Sequence, residues 1–193
     1  MIVTIEKKHP KPEDDNFKKI NIVAKHNIDD SRFDLFAISD DKQEMGKLCF
    51  YVEQTNNRIW LNHIETNKAF KRQGVGSALL TAMEYISLRN FKITKIDGVF
   101  NPKLPVTAIT QKMKKEIING TANFYARNNY DIVKCNNGSI IKCNSWNIEQ
   151  LKNLMLTKKI TKPLSEYNKM IDCSYYEIQN LKIDFDSIYD KMM

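Results

Sequence analysis

Residues 60–80 read WLNHIETNKAFKRQGVGSALL, and the change of pattern inside them decides the fold. Up to Thr66 the stretch carries the β-branched and aromatic residues of a strand. From Gly74 onward the apolar positions Val75, Ala78, Leu79, Ala82, Met83 and Ile86 recur at three-to-four spacing, which predicts an amphipathic helix. Strand and helix are joined by a short basic turn, Lys71-Arg72-Gln73, that runs into Gly74-Val75-Gly76-Ser77. This junction has the physics of an anion site. The first amides of a helix have no intrahelical acceptor, the helix dipole adds partial positive charge, and glycines let an oxyanion approach the backbone closely. Lys71 and Arg72 add two cations, so a pyrophosphate would meet amides and charge together. Two common phosphate signatures are excluded: there is no G-x-x-x-x-G-K-[ST], and Leu79 stands where G-x-G-x-x-G needs its third glycine.

Upstream, strand-like runs at 17–25, 33–39, 46–54 and 58–66 predict an antiparallel meander, with Asp40-Asp41-Lys42 and Thr55-Asn56-Asn57 as turns. The first residues, with Pro10 and Pro12, read as a polar lead-in. Downstream the pattern predicts a strand over 92–100, a Pro-bounded loop over 101–105 and a basic helical stretch over 111–118. A second helix from 120 or 121 to 128 follows, then a hairpin over 130–143 that turns at Asn136-Asn137-Gly138. Beyond Asn147 the spacing of Ile148, Leu151, Leu154 and Met155 predicts a helical C-terminal extension, with shorter helices over 165–171 and 185–192. The order places the chain in the α+β class, an α/β arrangement on a mixed sheet. It divides the chain into a domain of residues 1–144 and an extension of residues 145–193 packed on it.

Composition narrows the function classes. With 193 residues, 42% hydrophobic and 27% charged, the chain can bury a core and is neither disordered nor fibrous. No run approaches the ~18 apolar residues of a membrane helix, and the first fifteen residues lack the apolar core of a signal, which predicts a cytoplasmic protein, or a nuclear one if the cell has a nucleus. Cys49, Cys135, Cys143 and Cys173 lie far apart without C-x-x-C spacing, so no metal site and no disulfide framework is expected. A net charge of +7 attracts anions, whether nucleic acid, acidic protein or a phosphate-bearing cofactor. The 25 lysines accompany 23 isoleucines and 20 asparagines, all with A/T-rich codons, so charge alone selects no partner. Lys112, Lys114 and Lys115 read as a solvated helix face without the interleaved aromatics that stack single-stranded bases.

The strand–turn–helix residues resemble the GNAT superfamily of N-acetyltransferases. Its signature R/Q-x-x-G-x-G/A at a strand-to-helix junction is matched by Lys71-Arg72-Gln73-Gly74-Val75-Gly76, followed by Ser-Ala-Leu-Leu. A later family pattern like A-x-x-[LF]-Y-x-x-x-G-[FY] has its counterpart in Ala122-Asn123-Phe124-Tyr125-Ala126-Arg127-Asn128-Asn129-Tyr130, where Phe124, Tyr125 and Tyr130 hold their places and Ala122 stands one position nearer the tyrosine. The resemblance covers about residues 17–143 and implies an acyl-CoA N-acyltransferase fold. Lys71 stands where Arg or Gln is usual, and Asn129 stands for a glycine, which asparagine can replace where the backbone is left-handed. The two helices that follow the family's first strand have no counterpart here.

The resemblance implies acetyl transfer from acetyl-CoA, bound between two splayed strands, to a primary amine by direct attack in a ternary complex. The acceptor, whether a small molecule, a protein or an aminoacyl-RNA, is left open. For the cofactor it implies Lys71, Arg72, Gln73, Gly74, Val75, Gly76 and Ser77 at the pyrophosphate, the Ile64 amide on the carbonyl and Thr66 on the pantetheine arm. For catalysis it implies Tyr125 as the acid that protonates the leaving thiolate, with Glu65 or Asp97 as the base. His63 shares a face with Glu65 by strand alternation and reads as a hydrogen-bonded structural residue. Two other readings stay open: a non-catalytic acyl-CoA-binding module, and a basic nucleic-acid-binding protein.

Overall fold

Alternation in the meander becomes a sheet whose two faces differ in kind. The protein is described by a computed structural model, which covers residues 2–7, 18–27, 31–104, 110–136, 139–142, 154–169 and 171–172. Strands β1 (Ile2–Lys7), β2 (Lys18–Asn27), β3 (Arg32–Ile38), β4 (Glu44–Glu53) and β5 (Arg58–Thr66) lead into helix α1 (Val75–Ile86). They are followed by β6 (Lys95–Val99), α2 (Gln111–Arg127), β7 (Asp131–Asn136), β8 (Ser139–Lys142), β9 (Leu154–Lys159), α3 (Leu164–Asn168) and β10 (Ile171–Asp172). Among the described residues these strands form one sheet in the order β10-β1-β2-β3-β4-β5-β6-β9-β7-β8. The β5–β6 pair is parallel, joined across α1, and the other pairs are antiparallel, so the sheet is mixed as expected.

In β3, Phe33, Leu35 and Ala37 are buried and join one core with α1, while Arg32, Asp34 and Phe36 alternate onto the opposite face. The helical stripe read from the sequence is buried in full, and Leu80, Glu84 and Tyr85 are buried as well, so α1 is enclosed nearly all round. Each fully buried Leu or Ile contributes about 1.5–3 kcal/mol.

Enclosure on α1's outer side comes from a polar cluster. Lys158 Nζ of β9 lies 2.6 Å from Glu84 Oε1 and 2.7 Å from the Asn128 carbonyl. The Tyr167 hydroxyl of α3 donates to Glu84 Oε2 at 2.7 Å, and that of Tyr130 donates to Oε1 at 3.4 Å. Burial, then the nearby Glu84 carboxylate, pushes both phenols up, so both remain donors. One buried carboxylate thereby ties α1 to β9, α3 and the corner after α2.

Three expectations need correction. Leu154 and Met155 lie in strand β9, which the helical spacing did not reveal: Leu154 and Leu156 are buried while Met155 and Thr157 alternate with them. The deciding influence is tertiary, because β6 and β7 both offer an open edge to this segment, and it pairs with both. The sheet thus takes a central strand from beyond residue 144. Residues 164–168 do form a short helix, and the expected helix at 185–192 lies outside the described residues. The lead-in contains β1, paired with β2 from Ile2↔Val23 to Lys7↔Lys18. The stretches at 111–118 and 121–128 are one helix, α2, which passes through Gly120 and is capped by the Thr110 hydroxyl accepting from the Met113 amide at 3.2 Å. The hairpin β7–β8 forms as expected, but Asn136, read as a turn residue, ends β7 and pairs with Ser139, and the two linking residues lie outside the described residues.

Two glycines give opposite expectations for stability. A Cβ at Gly98 would lie 2.6 Å from the Leu61 carbonyl oxygen of the neighbouring strand, whereas at exposed Gly120 it would meet nothing within 4 Å. Gly98→Ala should cost about 1–3 kcal/mol in denaturant unfolding, and Gly120→Ala should add about 0.4–1 kcal/mol.

Candidate active site

The site begins where two strands part. β5 and β6 pair from Arg58↔Lys95 to Leu61↔Gly98 and no further, while β5 stays on β4 as far as Gly46↔Thr66. Asn62 is the extra residue of a bulge, because Cys49 faces His63 and Phe50 faces Leu61. The Asn67 amide donates to the Met45 carbonyl at 2.9 Å. Alternation along the strand then turns the N–H and C=O of Ile64 and Thr66 away from β4, into the opening that β6 leaves. β6 continues instead toward β9, with the Phe100 amide donating to the Leu154 carbonyl at 3.0 Å.

At the end of β5 a single 3₁₀ turn, Lys68–Phe70, brings the chain round to α1. Arg72 (φ 63°) and the N-cap Gly74 (φ 82°) take left-handed backbone. The first bond into the helix runs from the Ala78 amide to the Gly74 carbonyl at 3.0 Å. The amides of Val75, Gly76 and Ser77 therefore precede every intrahelical acceptor, and among the described residues no side chain caps them. Lys71 and Arg72 are exposed beside them, and Gln73 donates from Nε2 to the Ala69 carbonyl at 3.1 Å. A Cβ at Gly76 would stand 3.0 Å from the Phe124 ring and 3.6 Å from Thr66 Oγ1. Helix α1 thus starts at a point where β5 and α2 both crowd it.

Next to Phe124, Tyr125 is 7% exposed and its ring packs edge-on against Phe100, Phe124 and Tyr130 at centroid distances of 6.2, 5.1 and 5.7 Å. Burial pushes its phenol up to about 12. Among the described residues no group bonds the hydroxyl and no fully buried side-chain polar atom lacks a partner, so this hydroxyl retains an opening to solvent. The following corner is held by the Tyr130 amide on the Tyr125 carbonyl and by left-handed Asn129 (φ 61°), the conformation that asparagine tolerates best after glycine.

The two acids foreseen from the sequence are not brought together. Asp97 is in register with Trp60, ahead of the parting, and is 4% exposed. Its oxygens are taken up by the Thr157 hydroxyl at 2.8 Å, Lys95 Nζ at 3.0 Å and Arg58 Nη1 at 3.4 Å, so it joins β5, β6 and β9. Glu65 lies past the parting, on the face opposite α1. Its Oε2 accepts from His63 Nε2 at 2.9 Å, the hydrogen bond expected of that histidine, and from Lys103 Nζ at 3.0 Å. Lys103 first and His63 second pull the carboxyl down to about 2. These side chains line a cavity of about 470 Å³, together with Arg32, Asp34, Lys47 and Cys49. Lys103, Lys47, the Asn62 bulge and Phe124 were not foreseen. The alternation Arg32, Asp34, Phe36 opposite Lys47, Cys49 was the available signal for this face. Among the described residues no cluster could hold a metal ion, and no helix is long and apolar enough to cross a membrane.

A sequence profile of the Acetyltransferase (GNAT) family matches residues 4–101, half of the chain. The chain belongs to that family. Similar solved structures include a GNAT-family acetyltransferase from Staphylococcus aureus Mu50, 13% identical over 70% of this chain and 72% of that one, with a TM-score of 0.47. The PaiA N-acetyltransferase from Thermoplasma acidophilum, in complex with coenzyme A, is 16% identical over 67% of this chain and 61% of that one, TM-score 0.45. A spermidine N-acetyltransferase from Vibrio cholerae is 11% identical over 72% and 69%, TM-score 0.43. Among curated proteins no sequence matches. The GNAT match includes the parted strand and the start of α1, and it ends before Tyr125.

Because Glu65 has a folded pKa below its unfolded value, the cluster's stabilisation is present above about pH 4.5 and fades as pH falls toward about 2. Lys103→Ala removes the largest cause. An NMR titration of the Glu65 carboxyl should show its pKa rising from about 2 toward the ordinary value of 4.5, and an unmoved pKa would break the assignment.

Proposed function

We propose that this GNAT protein transfers an acetyl group from acetyl-CoA to a primary amine by direct attack in a ternary complex. The observation that carries this reading is the parting of β5 from β6 with the uncapped start of α1 at its mouth, two donor sets that converge on one elongated anionic ligand. The residues fit such a ligand. Gly74 takes the left-handed backbone and Gly76 fits the space left by Phe124, the amides of Val75, Gly76 and Ser77 would take the pyrophosphate with Lys71 and Arg72, and the open edge of β5 would take the arm. Gln73 keeps the turn in shape through Ala69.

When bound, acetyl-CoA supplies a thioester activated for acyl transfer. In our reading the Ile64 amide polarises its carbonyl, and the main chain of Thr66 pairs with the pantetheine arm. Tyr125 gives its proton to the departing sulfur as the C–N bond replaces the C–S bond. An amine acceptor must lose a proton, and a carboxyl held near 2 is too acidic to keep it. We therefore give Glu65 the task of holding the acceptor's ammonium and orienting His63, whose Nδ1 takes the proton while Nε2–H donates to Glu65. Asp97 serves the sheet in this scheme, since its partners already surround it.

Titration calorimetry with acetyl-CoA tests the reading directly: the wild-type protein should bind at micromolar levels, and Gly74→Glu, which puts a carboxylate where pyrophosphate should lie, should abolish binding in a folded protein. No binding to the wild type would overturn it and turn attention to nucleic acid. Tight binding without transfer to any amine would support the non-catalytic module instead.

Tyr125→Phe should lower kcat by about a hundredfold or more while leaving acetyl-CoA affinity little changed. Burial disfavours the phenolate and raises the pKa, so the donor form persists up to about pH 12. The wild-type kcat–pH profile should accordingly lack the alkaline loss near pH 10 that an ordinary tyrosine would impose. Equal turnover in the variant would remove Tyr125 from the mechanism.

A further inference from the structure

We propose that the acceptor is a primary amine that carries an anionic group a few bonds away, the anion meeting Lys47 and the ammonium meeting Glu65 on the open sheet face. This rests on the acetyl-transfer reading of the same site and names its substrate class. Phe36 is in register with Lys47, and Lys47 with Glu65, so an apolar, a cationic and an anionic residue stand in one row across β3, β4 and β5. Neighbouring strands lie ~4.8 Å apart, so the two long side chains rise from adjacent positions and both can reach one small molecule lying between their charged ends. All three residues line the cavity of about 470 Å³, a size that suits a small ligand.

The charges in that cavity are paired unevenly. Asp34 is engaged by Arg32 at 2.9 Å, and Glu65 by Lys103 at 3.0 Å and His63 at 2.9 Å. Among the described residues no carboxylate pairs with Lys47, so the excess charge is positive and sits there. Glu65 meets both of its partners through Oε2, and its Oε1 accepts from no described group. A carboxylate has lone pairs to spare for such a donor. An acceptor ammonium can therefore add to Glu65 without displacing Lys103, beside the Ile64 amide, while its anion neutralises Lys47. A polyamine would instead bring further cations to a cavity whose carboxylates already have partners.

The test measures acetyl transfer, by thiol release, to L-amino acids and their carboxamides, to O-phosphoethanolamine and ethanolamine, and to spermidine. Calorimetry of the same compounds into CoA-saturated protein gives a second readout. The anionic compounds should exceed their uncharged counterparts by about tenfold or more in kcat/KM, mainly through KM, with the same order in binding. Lys47→Gln should bring that ratio close to one and Lys47→Arg should retain it, with unchanged Tm showing that both variants fold. Preference confined to the carboxylate or to the phosphate arm identifies which anion is read. Equal or better turnover of carboxamides or spermidine, a ratio untouched by Lys47→Gln, or acetyl-CoA binding with no anionic amine acetylated would each overturn the proposal. Failure of acetyl-CoA to bind the wild type would instead remove the acetyl-transfer reading, and this one with it.

Discussion

Main-chain hydrogen bonding along β5 is the constraint on which the site depends. Each strand N–H and C=O needs a partner, and β5 has β4 along its length but β6 only as far as Leu61. Beyond that point β6 belongs to β9, through Val99↔Met155 and the Phe100 amide on the Leu154 carbonyl. β9, inserted between β6 and β7, pairs with the other edge of β6, so the edge of β5 beside Ile64 and Thr66 is left open. Gly98 lets the strands touch at Leu61 just before they part, and the bulge at Asn62 redirects β5 just after.

Three carboxylates illustrate how environment divides labour among similar groups. Glu84 is buried beneath Lys158, Tyr130 and Tyr167, where losing a partner would strand a charge, and it holds the helix that presents the amide cradle. Asp97 is equally buried and spans three strands through Thr157, Lys95 and Arg58. Glu65 alone of the three faces an open cavity with an oxygen to spare. Burial separates the two acids that join elements of the fold from the one that lines a cavity, and residue type does not.

The residues of the glycine-rich junction were legible because they are contiguous. Gly74, Val75, Gly76 and Ser77 sit at a strand-to-helix change of period, and both halves of that change are local patterns. The buried stripe of α1 and the left-handed place of Asn129 were legible for the same reason. Strand β9 was not. Its Leu154 and Leu156 alternate over only six residues, and Leu151 and Met155 complete a competing helical spacing, so local pattern could not choose. The break assumed at Gly120 failed differently: a helix interior bears one glycine at a cost of about 1 kcal/mol, which the rest of α2 outweighs.

The sequence by itself determined the mixed class, the meander, the crossover helix and the glycine-rich junction, because each depends on neighbours a few positions apart. Tertiary structure decided which charges meet. Lys103 and Glu65 are 38 positions apart, Lys158 and Glu84 are 74 apart, and no periodicity links such pairs. The register of β3, β4 and β5 decided that Phe36, Lys47 and Glu65 share a row, and that Asp97 falls level with Trp60 instead of Glu65. Register and strand order are set by pairing between distant segments, so the charge clusters around Glu65 and Asp97 and the central strand β9 could be read only from the folded chain.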